Sequence, residues 1–128
     1  VCCTATRWLV HRKIWKDFID SATAAMKVKR IGDGREDATE MGPLVSAKQK
    51  GRVLGMVQKG VEQGATYLLE GGQAQVADHP DGFYVKPALL TGPADNLCAQ
   101  SEIFGPVAFA MPFESEDEAV ALVNRSSY

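Results

Sequence analysis

A chain of 128 residues holds one modest domain, and an apolar content of 45% is enough to give it a core. Its net charge of -2, with both signs mixed along the chain, leaves no basic footprint for nucleic acid. No run approaches the ~18 apolar residues that a membrane-spanning helix needs, and no targeting segment is visible.

Arg7 to His11 reads as a short strand, with Trp8, Leu9 and Val10 supplying bulk. His11 then reads as a surface residue before two cations rather than a catalytic base. From Lys13 to about Val28 the spacing of Trp15, Phe18, Ile19, Ala22, Ala25 and Met26 predicts an amphipathic helix. Lys27, Lys29 and Arg30 complement the dipole at its end. Ile31 to Glu40 is a polar loop turning at Gly32-Asp33-Gly34. Ser46-Ala47-Lys48-Gln49 fits a capping box that starts a second helix. Val53, Leu54, Val57 and Val61 form its apolar stripe. Gly51, Gly55 and Gly60 each weaken it by up to ~1 kcal/mol relative to Ala, and Gly64 is its natural stop.

Thr66 to Glu70 reads as a strand closed by Gly71-Gly72. No phosphate-loop pattern and no helix follow these glycines, so they read as a turn. Gln73 to Asp81 is a polar excursion. Phe83 to Thr91 is extended, and Pro87 within it implies an edge, a bend or a pair of short strands. Pro93 to Asn96 is a turn. Val107 to Met111 is an apolar run that reads as a buried strand, ended by Pro112. Ser115-Glu116-Asp117-Glu118 is a second capping box, and Ala119, Val120, Leu122 and Val123 make the buried side of the last helix. Strands alternate with helices, so the fold class is α/β.

Two stretches carry chemistry. Glu102-Ile103-Phe104-Gly105-Pro106-Val107 puts a carboxylate and a ring on a rigid turn at a strand's entrance. A tight loop with a solvated Glu and a core Phe is the plainer alternative. The opening Val1-Cys2-Cys3-Thr4-Ala5-Thr6-Arg7 puts two thiols and small residues before the first strand. Read alone, Cys2 and Cys3 are small buried hydrophobes or a nucleophile and its neighbour. Thr4, Ala5 and Thr6 leave room to start a helical turn whose N–H groups would favour a thiolate. Arg7 has two readings, an ion pair with a carboxylate or a pocket contact. Adjacent Cys2 and Cys3 do not easily pair with each other, and Cys98 has no evident partner. Free thiols suit a reducing, cytoplasmic compartment. His11 and His79 are far apart and no Cys-x-x-Cys occurs, so no metal site is expected.

The opening heptapeptide resembles the nucleophile region of the aldehyde dehydrogenase superfamily. The hexapeptide from Glu102 looks like that family's signature on the cofactor side. Between them, in the family's order, stand Met41-Gly42-Pro43-Leu44-Val45-Ser46, Leu69-Glu70-Gly71-Gly72 and Gly82-Phe83-Tyr84-Val85-Lys86-Pro87. Two positions depart from the pattern: Gly34 stands where Pro is usual, and Ser101 where a second Glu is frequent.

The resemblance implies a portion of an aldehyde dehydrogenase-like catalytic domain, strands flanked by helices, over residues 1–128. The separate dinucleotide-binding domain would not be in this chain, since similar enzymes are about four times as long. Both ends accordingly read as cut. The resemblance also implies that Cys2 is the catalytic nucleophile and that Glu102 and Phe104 bind the nicotinamide-side ribose of NAD or NADP. Cys3 lines the aldehyde pocket or packs beside it. The implied reaction oxidises an aldehyde to a carboxylic acid through a cysteine thiohemiacetal and thioester. The amide donor and general base would lie before Val1, so the isolated chain is expected to be inactive. The intact protein is expected to be a homo-oligomer with no nucleic-acid or membrane partner. A CoA-acylating or acyl-phosphate-reducing relative, or a non-catalytic stand-alone domain, are the alternatives.

Overall fold

The computed structural model describes residues 5–126. Its centre is a four-stranded sheet in the order β1 (Arg7–His11), β6 (Val107–Phe113), β5 (Ala88–Thr91) and β2 (Thr66–Leu69). β6 pairs in parallel with both β1 and β5, and β2 closes the sheet antiparallel to β5. A second, two-stranded sheet joins β3 (Gly72–Gln73) to β4 (Val85–Lys86). The helices are α1 (Trp15–Lys27), α2 (Ala47–Glu62), the single turn α3 (Leu97–Gln100) and α4 (Glu116–Asn124).

β6 shows why helices lie on both faces. It is apolar at every position from Val107 to Met111, as a strand buried on both sides must be. Val107, Phe109 and Met111 point one way, into Val53 and Val57 of α2, Cys98 and Ala99 of α3, and Leu90, with Leu9 and Leu122 at the margin. Ala108 and Ala110 point the other way, with Leu89, toward Ile19 of α1 and the half-buried Trp8, Trp15 and Met26. The alanines bring α1 close on that side.

The helix boundaries follow local chemistry. Ser46 Oγ accepts from the Gln49 N–H at 3.1 Å and starts α2. Gly64 ends it at φ +92, with its N–H on Val61 O and the Ala65 N–H on Gly60 O, a Schellman stop. Gly60 is more than a weak helix former. A Cβ there would lie 2.4 Å from Cys98 Sγ, so its absence lets α3 pack against α2. Buried Asn96 caps α3, its amide donating to Gly60 O at 2.8 Å and its Oδ1 accepting from the Cys98 N–H.

Four expectations are corrected or sharpened. Pro112 does not end β6, which runs on to Phe113 against β1. Phe109 N–H points to Thr6 O on the β1 side, so Pro112 N, three residues on, faces the side where β5 has already stopped at Thr91. No ladder bond is lost. Gly72 starts β3 instead of completing a turn. Pro87 does separate a pair of short strands, but β4 and β5 belong to different sheets. On α4, Ala119 and Leu122 face inward, while Val120 and Val123 are 53% and 51% exposed.

The polar loop after α1 is organised by Asp33. Its carboxylate accepts from the Arg35 backbone N–H, Nε and Nη2 and lies 3.1 Å from His79 Nε2, tying two loops together. The hydrogen bonds from Arg35 hold this carboxyl well below the usual carboxylate range. A depressed folded pKa gives stability that is present above the ordinary value of ~3.9 and lost as pH falls below it. Protease nicking between Ile31 and Glu40 is therefore expected to stay flat from pH 7 to about 4 and to rise only below. Loosening already at pH 5 would contradict this pairing.

Candidate active site

The turn from Glu102 to Pro106 is built against α2. Ile103 is buried and acts as its anchor. Gly105 lies flat on Val53, where a Cβ would approach Val53 Cγ2 to 2.6 Å. Pro106 O accepts from the Ala88 N–H at 2.9 Å, which ties the turn to β5 just before β6 begins. Phe104, with φ +58, has a left-handed backbone that non-glycine residues rarely adopt. Glu102 and Phe104 consequently project outward on either side of Ile103. Phe104 is 50% exposed, and among the described residues no group pairs with the Glu102 carboxylate.

The carbonyls of residues 102–104 have no strand partner, and α2 supplies one. Arg52 Nη2 donates to Glu102 O at 2.7 Å and Nη1 to Ile103 O at 2.5 Å. Gln49 Nε2 donates to Phe104 O at 2.9 Å and to Ile103 O at 3.3 Å. Sequence reasoning missed both residues. As the last member of a capping box Gln49 should reach back to Ser46, but its side chain is spent on this turn and only the Ser46 half of the box forms. The available signal was spacing: Gln49, Arg52, Val53 and Met56 share one face of α2, so two long donors interrupt an apolar stripe.

β1 runs parallel to β6 with Arg7 opposite Phe109, and Thr6 O accepts from Phe109 N–H at 2.8 Å. The segment that precedes β1 and the turn that precedes β6 thus reach the sheet at the same end, one strand apart. This is the amino end of the parallel strands, opposite to where open α/β sheets usually bind ligands. Cys2, the expected nucleophile, and Cys3 lie outside the described residues. Ala5 and Thr6 are not helical, so the expected helical turn does not extend through them. Trp8 Nε1 donates to Ala5 O at 2.9 Å and holds this segment down.

Arg7 is structural, though its partner is not a carboxylate. Its guanidinium donates to Leu122 O at 2.8 Å and Val123 O at 3.4 Å, the open carbonyls in the last turn of α4. Its Nε is buried without a partner among the described residues. His11 Nδ1 accepts from the Lys13 N–H, and its ring meets Phe113 edge-on, a capping role. Cys98 is buried beneath Met56 O, and burial pushes its thiol pKa up, so it is a poor nucleophile.

Fold and site together define an α/β domain with a parallel core that presents a carboxylate, unpaired among the described residues, and an aromatic ring at one end of its central strand. The profile described as "Aldehyde dehydrogenase family" matches residues 1–128. "Aldehyde dehydrogenase citD" of Monascus ruber is 41% identical over 128 residues, covering 99% of this chain and 26% of that protein. "Betaine aldehyde dehydrogenase" of Brucella ovis is 38% identical over 129 residues, covering 100% and 26%. Among solved structures, the NAD+ complex of aldehyde dehydrogenase from Bacillus cereus superposes with a TM-score of 0.89 at 38% identity, covering 96% of this chain and 24% of that one. Betaine aldehyde dehydrogenase from Staphylococcus aureus, a point mutant in complex with NAD+ and with a BME-modified cysteine, gives 0.95 at 31%, covering 100% and 26%. The chain belongs to the aldehyde dehydrogenase family. It spans about a quarter of the length of these relatives.

Proposed function

We propose that residues 1–128 belong to the catalytic, thiol-bearing domain of an NAD(P)-dependent aldehyde dehydrogenase, whose dinucleotide-binding domain lies elsewhere in the protein. The observation that carries this reading is the turn at 102–104. The residues there fit a dinucleotide. A carboxylate unpaired among the described residues could accept two hydrogen bonds from vicinal ribose hydroxyls, and a half-exposed ring could lie against the flat face of a sugar or nicotinamide. Named relatives bound to NAD+ support it.

In this reading Cys2 Sγ, as thiolate, forms a bond to the aldehyde carbon and the carbonyl oxygen becomes an oxyanion. A nicotinamide held by Glu102 and Phe104 would supply the hydride acceptor, and loss of hydride from this carbon would leave a thioester on Cys2. Water then adds to the thioester, the S–C bond breaks, and the carboxylic acid leaves with the thiolate restored. Glu102 and Phe104 orient the cofactor, and Gly105-Pro106 keep their turn rigid. This reading assigns the amide donor and the base that activates water to other parts of the protein, so the 128 residues alone are expected to be inactive. The intact enzyme is read as a cytoplasmic homo-oligomer acting on a small-molecule aldehyde, with no nucleic-acid or membrane partner. A free, buried Cys98 suits a reducing compartment.

Glu102→Gln in the full-length protein is the test. Charge-assisted hydrogen bonds of this kind contribute about 1.5–3 kcal/mol, so the Kd for NAD+ or NADP+ is expected to rise roughly 10- to 100-fold. Unchanged affinity for both dinucleotides would sink the reading.

A further inference from the structure

We infer that Trp8 is a positioning residue for the nucleophile: its indole N–H holds the carbonyl of Ala5, outside the sheet, and so sets the direction in which the backbone runs back toward Cys2. The inference rests on the function proposed above, in which Cys2 attacks the aldehyde, and adds a residue that aims it.

The sheet does not need this hydrogen bond. β1 begins at Arg7, and Thr6 O already accepts from the Phe109 N–H at 2.8 Å. The register of β1 is set by its pairing with β6 from Arg7 to His11, and the Arg7 guanidinium ties the start of the strand to α4. The Trp8 N–H goes instead to Ala5 O at 2.9 Å, one residue upstream of Thr6. The side chain reaches backward out of its own strand, and what it orders lies before the strand.

The indole is itself held in place. Trp8 stands on the α1 face of the sheet, opposite Ala110, whose small side chain leaves room for a large ring. Phe18 of α1 meets the ring edge-on, with centroids 5.6 Å apart and planes at 89°. Buried Ile19 belongs to the same cluster. A leucine or phenylalanine would fill this place on the sheet, but neither would supply a donor to Ala5 O.

Covalent geometry turns the bond into a matter of aim. Cys2 stands three residues before Ala5 in the sequence, at most ~11 Å away along an extended chain. A change of about 10° in direction at Ala5 therefore displaces the thiol by up to ~2 Å. Attack on a carbonyl tolerates less, since a misplacement of ~1 Å can cost ~10²-fold in rate. Alkylation of the same thiolate makes no such demand, because it forms no oxyanion and the reagent approaches from any open side.

The test exploits that contrast in the full-length protein. Two changes are made at position 8: Trp8→Phe, and a benzothiophene side chain in which sulfur replaces the N–H and the shape is kept. Two rates are measured at Cys2. One is acylation by p-nitrophenyl acetate, in which the S–C bond forms and p-nitrophenolate leaves; the other is alkylation by iodoacetamide. For both variants acylation is expected to slow about three- to tenfold, while alkylation and the Kd for NADH and NADPH stay within about twofold. The denaturation midpoint of the benzothiophene protein is expected to be nearly unmoved. Unchanged acylation would overturn the inference. So would an equal fall in acylation and alkylation, which would mean that Trp8 governs only access or folding. A loss in Trp8→Phe that the benzothiophene protein does not share would overturn it too, since ring size and not the N–H would then be the agent. If Cys2→Ala abolishes aldehyde oxidation while the position 8 variants acylate at full rate, only the role of Trp8 falls; if Cys2→Ala retains activity, the function proposed above falls with it.

Discussion

Replacing Cys2 by Ala in the full-length protein is expected to lower aldehyde oxidation by at least ~10³-fold while leaving dinucleotide affinity within about twofold. The proposed covalent route depends on a thiolate, and Cys98 cannot stand in. Cys98 is buried under α2, and its thiol is harder to ionise than an exposed one. The contrast is measurable independently of turnover. Iodoacetamide is expected to label Cys2 well before Cys98 in the native protein, and the two thiols to label alike once the chain is denatured. Cys2→Ser tests the same point at constant shape, because a hydroxyl without a matched base is a far weaker nucleophile. A Cys2→Ala protein that retains more than about a tenth of its activity would remove Cys2 from the mechanism.

The largest expected effect on stability lies at Phe109. Among the described residues it is the largest side chain less than 2% exposed, and it sits in the strand that β1 and β5 share. Truncation to Ala is expected to cost about 3–5 kcal/mol, from lost transfer energy and from a cavity between α2 and the sheet. A typical domain has only about 5–15 kcal/mol in total, so this change should leave little folded protein at elevated temperature. Val123→Ala is the control. Its side chain is half exposed, and a shift within about 0.5 kcal/mol is expected. Denaturant midpoints measure both. A loss below about 1 kcal/mol at Phe109 would mean that this face of the sheet is not the core described here.

Much of the fold was legible in residue order. The stripe on α1, the Ser46 cap, the Gly64 stop and the unbroken apolar run of β6 are local signals, and each element formed near its expected place. The failures share a cause, since each depended on a distant partner. Pro112 is tolerated because β5 is short, a fact about residues 88–91. Val120 and Val123 are apolar at helical spacing, yet this domain offers them nothing to cover. Arg7 finds no carboxylate but helix carbonyls some 115 residues away. The candidate site divides in the same way. Glu102 and Phe104 were visible because Gly105 and Pro106 fix their turn. Gln49 and Arg52 were not, because only the fold brings α2 against residue 102. Family membership came from five short motifs in order, not from any one of them.

The pairing of β1 with β6 has a consequence for how the chain comes into being. Within residues 5–126 the first strand pairs with the last, about a hundred residues later, which at 5–20 residues per second is a wait of roughly 5–20 s during synthesis. Until then β1 lacks the β6 partner described here, and its run of Trp8, Leu9 and Val10 is the kind of segment that aggregates when its edge is left uncovered. Arg7 waits as well, because its acceptors in α4 emerge even later. The strand that follows Cys2 and the turn that carries Glu102 are thus brought together only when β6 is available to pair with β1.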